Sequence, residues 1–276
     1  MAHLKNQLTQ TQEFEAGPWR IAMKKSHILK SECEKGIATG CPSQGDMCSV
    51  CRYQHELQLP DLPEMVFPDS ELSLHHETGV GIRFVALDAL KCVDHCSDPL
   101  KVAVAKRWES TRAEGLKMAK EVIKPFDWTF TTTYNGTLFS TNKDSSFKVE
   151  ETSERIDYEK LKQQEKIFFY DEAILYEDEL ADNGTSVLSV KIRVMASGFF
   201  VLLRFFLRVD DVVVRLYDTR IHHQAGTDYL LREYSTKEAR LSKISLPTSI
   251  LTDPNQLNER LPLIQMCTHK LIIPAT

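Results

Sequence analysis

The run TSVLSVKIRVMASGFFVLLRFFLRVDDVVVRLYDTR, residues 185–220, decides the fold. In its first part Leu188, Val190, Ile192 and Val194 fall on one side while Ser189, Lys191 and Arg193 fall on the other. That is the period-two alternation of a half-buried strand. Ala196-Ser197-Gly198 then reads as a turn. Residues 199–208 are apolar at nearly every position, as a central strand covered on both faces should be, and Asp210-Asp211 reverses the chain into a third strand over 212–217. The three form an antiparallel meander.

Working outward, residues 128–134 alternate aromatic residues with threonines and end in Asn135-Gly136, a pair suited to the positive φ angles of a tight hairpin. Two further strands are expected there. Residues 100–123 hold helix formers without proline, weakened by Gly115, and 156–165 are charged and amphipathic enough for a short helix. Between them, 140–151 reads as an exposed loop or hairpin tip. Strands outnumber helices and rarely alternate with them, so the fold class is α+β, a central antiparallel sheet with a few helices in one domain spanning 1–276. There is no internal repeat.

Bulk properties narrow the function. The 276 residues carry 34 basic and 39 acidic side chains, a formal net charge of −5, the wrong sign for a broad nucleic-acid surface. Residues 1–14 lack the apolar core of a secretory signal, and the most hydrophobic stretch, 198–207, is too short to span a bilayer and contains Arg204. The seven cysteines are odd in number and mostly crowded into one short region, unlike a secreted disulfide framework. A reducing compartment, cytosol or nucleus, is expected, with no membrane partner. The sequons at Asn135 and Asn183 then mark turns.

A search for reacting groups finds no G-x-S-x-G elbow, phosphate-binding glycine loop or H-E-x-x-H helix. His222-His223 and His75-His76 lie on expected strands, where neighbours point to opposite faces, so neither pair shares a metal. Cys48-Ser-Val-Cys51, with Cys41 and His55 nearby, has ligand types and spacing seen in zinc sites. Four ligands at defined spacing are needed, however, and Gly36, Gly40, Pro42 and Gly45 mark an irregular loop, so free thiols are expected there and no resident metal. The acidic run Glu172, Glu177, Asp178, Glu179 and Asp182 has no calcium-loop spacing and reads as a solvated face.

Two acids stand out by position. Alternation puts Val212, Val214, Leu216 and Asp218 on one side, so an apolar face ends in a carboxylate. Asp218 is either the rim acid of a binding cleft or the cap of the following turn. Asp88 ends the strand-like residues 81–87 and precedes Ala89-Leu90-Lys91-Cys92-Val93, which favours helix N-capping.

Taken in order, Gly17-Pro18-Trp19, Ser26-His27-Ile28, Leu62-Pro63-Glu64-Met65, Ala86-Leu87-Asp88-Ala89-Leu90-Lys91-Cys92-Val93, Tyr176-Glu177-Asp178-Glu179-Leu180, Leu203-Arg204-Phe205-Phe206-Leu207-Arg208, Asp218-Thr219-Arg220 and Leu231-Arg232-Glu233-Tyr234 resemble successive blocks of the TOR signalling pathway regulator-like (TIPRL) family. The likeness covers residues 14–31 and 59 to the end. It departs at 36–56, an atypical insert read as flexible, and at Leu216, where the family more often has Met, an apolar exchange of similar volume.

The resemblance implies a non-catalytic regulator without a cofactor, monomeric by itself. It implies a central antiparallel sheet with an N-terminal α/β layer on one surface and a cleft on the other. The implied partners are the catalytic subunits of type 2A and related serine/threonine protein phosphatases, held in a low-activity state with their C-terminal tail in the cleft, acting in TOR and DNA-damage signalling. The implied binding residues are Asp88, Ile156, Leu216 and Asp218. On an open cleft, Asp218→Asn or Leu216→Ala should weaken phosphatase capture and leave the thermal melt nearly unchanged. The alternatives are a β-rich enzyme using His222, His223 or the acidic run, and a small-ligand-binding β module.

Overall fold

The chain opens with a hairpin whose alternation sets the first layer. The computed structural model describes residues 10–42, 45–57, 59, 61–93, 101–102, 122–123, 128–142 and 145–275. Strand β1 (Gln10–Ala16) pairs with β2 (Trp19–Lys25), and on β2 Trp19, Ile21 and Met23 point inward while Arg20 faces out. After helix α1 (Ser49–Glu56) and the two-residue β3 (Met65–Val66), strands β4 (Glu71–His76) and β5 (Val80–Val85) extend the layer, and helix α2 (Ala86–Leu90) follows directly. The short pair β6 (Lys101–Val102) and β7 (Val122–Ile123) stands apart, while β8 (Thr137–Ser140) completes a five-stranded antiparallel sheet in the order β1-β2-β4-β5-β8.

The second sheet grows from the meander. After β9 (Lys148–Glu151) and helix α3 (Tyr158–Leu161), five consecutive strands of twelve residues follow: β10 (Ile167–Asp178), β11 (Gly184–Met195), β12 (Gly198–Val209), β13 (Val213–Gln224) and β14 (Tyr229–Arg240). Helices α4 (Thr248–Leu251) and α5 (Pro254–Arg260) lead into β15 (Leu263–Ile272), giving the order β3-β10-β11-β12-β13-β14-β15-β9. The three expected strands are thus present and longer than their patterns suggested. The hairpin at Ala196-Ser197 closes with Met195 opposite Gly198, and the one at Asp210-Asp211 with Val209 opposite Val213.

One face of the large sheet packs on the small one. Trp19, Ile21, Leu72, Leu74, Ile82 and Phe84 share a core with Val190, Ile192, Phe199, Val201 and Phe205, and the Trp19 and Phe199 rings meet edge-on at 5.4 Å. Full burial of each such side chain is worth about 1.5–3 kcal/mol, so this interface dominates the stability of the fold. Among the described residues no helix is long and apolar enough to cross a membrane.

Several expected elements differ. Residues 128–134 form no regular strand. Phe130 has φ 55°, and side chains hold this segment in place of a ladder: Ser186 donates to the Thr129 carbonyl, Tyr176 to that of Phe130, and Thr132 to that of Ala89. Of the expected helix over 100–123, the two described ends are the strands β6 and β7, and the interior lies outside the described residues, as does Cys96. The helix expected over 156–165 shortens to α3, where Asp157 caps by accepting the Lys160 N–H at 3.0 Å. Val212 sits in the turn and packs on the inter-sheet core, away from Val214 and Leu216. In the acidic run Asp178 is buried, not solvated, accepting N–H groups of Glu64 at 3.0 Å and Leu180 at 2.6 Å, and burial raises its pKa.

Candidate functional site

The face of the large sheet turned away from the small one carries a polar seam between two apolar clusters. Cross-strand pairing builds it: Arg204 lies opposite Asp218, Asp218 opposite Ser235, and Arg220 opposite Glu233, all directed to one side. Asp218 accepts two hydrogen bonds from Arg204, Nε at 2.7 Å and Nη2 at 2.8 Å, and a third from Arg220 at 2.5 Å. Arg220 also lies over the Tyr158 ring at 5.7 Å. The Tyr158 hydroxyl donates to Glu233 at 2.6 Å, and the other carboxylate oxygen of Glu233 accepts from the Ile156 amide and from Arg155 Nε, both at 2.8 Å. Burial, the leading cause, raises the Tyr158 phenol pKa. One chain of charge-assisted bonds therefore joins β12, β13 and β14 to the segment around α3.

The apolar clusters flank this seam. At one end Leu216 packs with Phe206, Val214 and Ala239 beneath Leu257 and Leu261, brought by α5. Asp253 caps α5 by accepting amide N–H groups of Asn255 and Gln256, and Asn255 in turn accepts from Arg204 at 2.8 Å. At the other end Ile156, Leu161, Met195 and Leu231 form a second cluster with Phe200 and Tyr229 at its margin.

Three of the four expected binding residues, Ile156, Leu216 and Asp218, thus share one face. Asp88 belongs to the other layer, where it accepts from Thr137 Oγ1 at 2.7 Å and pairs with Arg83 at 3.5 Å. It does not cap α2: the cap position is Val85, and Asp88 falls within the first turn. Nor does Asp218 cap a turn, because β13 continues to Gln224. The larger correction is exposure. Asp218 and Leu216 are each 1% exposed and Ile156 3%, since α5 closes over the first two and the residues flanking α3 enclose the third. Leu216 and Asp218 therefore do not line an open cleft, and mutating them acts on the fold. The groups nearer the surface along the seam are Arg220, Tyr158, Lys237 and Arg155. Alternation alone missed them, yet the Val209–Val213 turn sets a register in which Arg204 must face Asp218.

A cleft of about 890 Å³ opens elsewhere, at one end of the two sheets, where His76 and His223 sit beside Phe14, Phe168 and Phe199. His223 stacks on Phe199 at 5.2 Å, and burial pushes its pKa down to about 4. Burial likewise lowers His76 and His222. The ring nitrogens of His76 and His223 meet Thr78 Oγ1 and the Thr227 carbonyl, while Glu15, Glu77 and Asp228 also line the cleft.

Near α1, the sulfurs of Cys33, Cys41, Cys48 and Cys51 lie within 4.8 Å of one another. The spacing singles out Cys48 and Cys51 with Cys41 and His55 nearby, and the expectation there is free thiols. The structure brings Cys33 to the other three cysteines, while His55 is exposed in the last turn of α1.

The model of the family described as the TIP41-like family matches residues 65–245. The TIP41-like protein of Homo sapiens is 46% identical over 263 residues, covering 95% of this chain and 90% of that protein. The TIP41-like protein of Dictyostelium discoideum is 40% identical over 275 residues, covering 94% and 92%. A Saccharomyces cerevisiae protein named type 2A phosphatase activator TIP41 is 37% identical over 271 residues, covering 90% of this chain and 71% of that protein.

Proposed function

Because this chain belongs to the TIP41-like family, we propose that it is a non-catalytic regulator that binds the catalytic subunits of type 2A and related serine/threonine protein phosphatases. The yeast relative's name supports the partner class. Within this reading the chain holds the phosphatase in a low-activity state, works in the cytosol or nucleus as a monomer, and feeds TOR and DNA-damage signalling. The name of the yeast relative speaks of activation, so the sign of the effect is what an activity assay must decide.

The observation that carries the binding mode is the seam on the outer face of β12, β13 and β14. Along it the four basic groups Arg155, Arg204, Arg220 and Lys237 meet the carboxylates Asp218 and Glu233, with Glu259 acting on Lys237 and Asp253 on Arg204. That row of paired charges between apolar clusters, with the cations Arg220, Lys237 and Arg155 nearest the surface, suits the carboxylate end of an extended peptide, the phosphatase C-terminal tail. Asp218 and Glu233 act from beneath, fixing the Arg220 guanidinium and the Tyr158 hydroxyl, while Leu216 and Ile156 support the floor. Asp88 contributes from the other layer, through a second contact.

The test uses purified catalytic subunit, full-length and lacking its tail, with phosphatase activity read in parallel. Lys237→Glu should weaken capture of the full-length subunit by about tenfold or more, in keeping with reversal at a charged interface, and a melt of the same variant measures separately what is lost with the bond from Lys237 to the Asn258 carbonyl. Equal capture by wild type and Lys237→Glu, together with indifference to the tail, would overturn the binding mode. Failure of the wild-type chain to capture any type 2A subunit would overturn the partner.

A further inference from the structure

We propose that Cys33, Cys41, Cys48 and Cys51 bind a single Zn²⁺ ion as a tetrahedral tetrathiolate site that is structural in role. The geometry has three parts. First, all four sulfurs fall within 4.8 Å of one another, with Cys33 and Cys41 at 3.6 Å and Cys33 and Cys48 at 3.8 Å. A zinc–sulfur bond of about 2.3 Å in a tetrahedron separates its sulfurs by about 3.8 Å, so these spacings are those of one shared ion. A multi-iron cluster distributes its cysteines over different irons and holds them further apart. The four are free thiols, with no disulfide among them.

Second, the backbone is arranged for thiolates. Cys48 is the N-cap of α1 and Cys51 lies in its first turn, so the pair presents both sulfurs at the helix start. The Cys41 amide donates to Cys51 Sγ at 3.1 Å. Gly40, at φ 78°, makes this approach: a Cβ there would stand 3.4 Å from the same sulfur in a conformation L-residues rarely adopt. Amide donors to the ligand sulfurs are what orient such a site.

Third, the cluster is shielded. Cys48 and Cys51 are buried with Val50, and Leu29 and Met47 pack around them. Four protein ligands leave no open coordination position, which is why the role is structural and not catalytic. What the ion would hold is α1, whose Tyr53 is fully buried in the inter-sheet core and whose Glu56 pairs with Lys91 just beyond α2. All four cysteines precede residue 65, where the family match begins.

The full-length chain, purified under reducing conditions, is tested with Zn²⁺ and Co²⁺ as probes. Expected results are one zinc per chain by elemental analysis, and on cobalt substitution the intense visible bands of tetrahedral thiolate-bound Co²⁺. Chelation should lower the Tm, and zinc should restore it. Cys48→Ser should lose the stoichiometric metal, while Cys92→Ser, at an exposed thiol outside the cluster, should keep it. Should Cys48→Ser misfold, the wild-type cobalt spectrum and the chelation melt decide alone. Substoichiometric metal after zinc addition, the weak spectrum of octahedral Co²⁺, or a Tm indifferent to chelation would overturn the site.

Discussion

Asp218 is 1% exposed and meets two guanidinium groups, Arg204 from the neighbouring strand and Arg220 from its own. Removing the carboxylate strands Arg204, itself 8% exposed, without its paired acceptor. Breaking one side of a buried ion pair costs about 3–5 kcal/mol, so Asp218→Ala should lower unfolding stability by that order in urea titration. Leu216→Ala should cost about 2–5 kcal/mol by opening a cavity beneath Leu257. Both replace the expectation that these residues could be changed without touching the melt, because that expectation took the strand face to be open. His223 makes a different prediction. Its pKa falls from 6.5 to about 4 on burial, so the unfolded chain takes up a proton that the folded chain refuses. Its contribution to stability is therefore intact above about pH 6.5, declines as pH falls, and levels off below about 4. His223→Phe should flatten that part of the stability profile relative to wild type.

At the scale of elements, the meander depends on its turns. Gly198 opens β12 at φ 141°, and a Cβ there would stand 1.9 Å from the His223 carbonyl oxygen on β13. That contact is with backbone and cannot be relieved by a rotamer change. Gly198→Ala should destabilise by about 1–3 kcal/mol, with the earliest loss of amide-exchange protection at the β11–β12 hairpin and the end of β13. The strands themselves were legible because alternation and apolar runs are local signals. Residues 128–134 carried the same alternation and yet form no ladder. The Thr129 and Phe130 carbonyls instead accept from Ser186 and Tyr176, and the Thr132 hydroxyl donates to the Ala89 carbonyl, all partners many residues away in sequence. Likewise α5 leaves little trace in periodicity, being seven residues long, although it decides that Leu216 and Asp218 are covered.

At the scale of the molecule, one face of the large sheet is consumed by the inter-sheet core and the other carries the polar seam. The chain as a whole has a net charge of −5, so attraction of a tail carboxylate has to come from the seam's surface cations, Arg220, Lys237 and Arg155, against the overall field. Capture of a phosphatase tail there should weaken with salt. Raising ionic strength should slow association more than it speeds dissociation, a split readable by surface plasmon resonance. Equal changes in both rates would count against a steered, charge-led encounter.

The linear order of residues determined the antiparallel meander, the absence of a familiar catalytic motif and the family blocks, because each is written in neighbours a few positions apart. Tertiary structure alone decided that Asp218 answers Arg204 beneath α5, that Asp88 stands on the other layer, and that Cys33 joins Cys41, Cys48 and Cys51. Those contacts link positions with no mutual periodicity. Whether a carboxylate is a rim or a floor, or four thiols a loop or a ligand set, depends on which distant segments the core draws together.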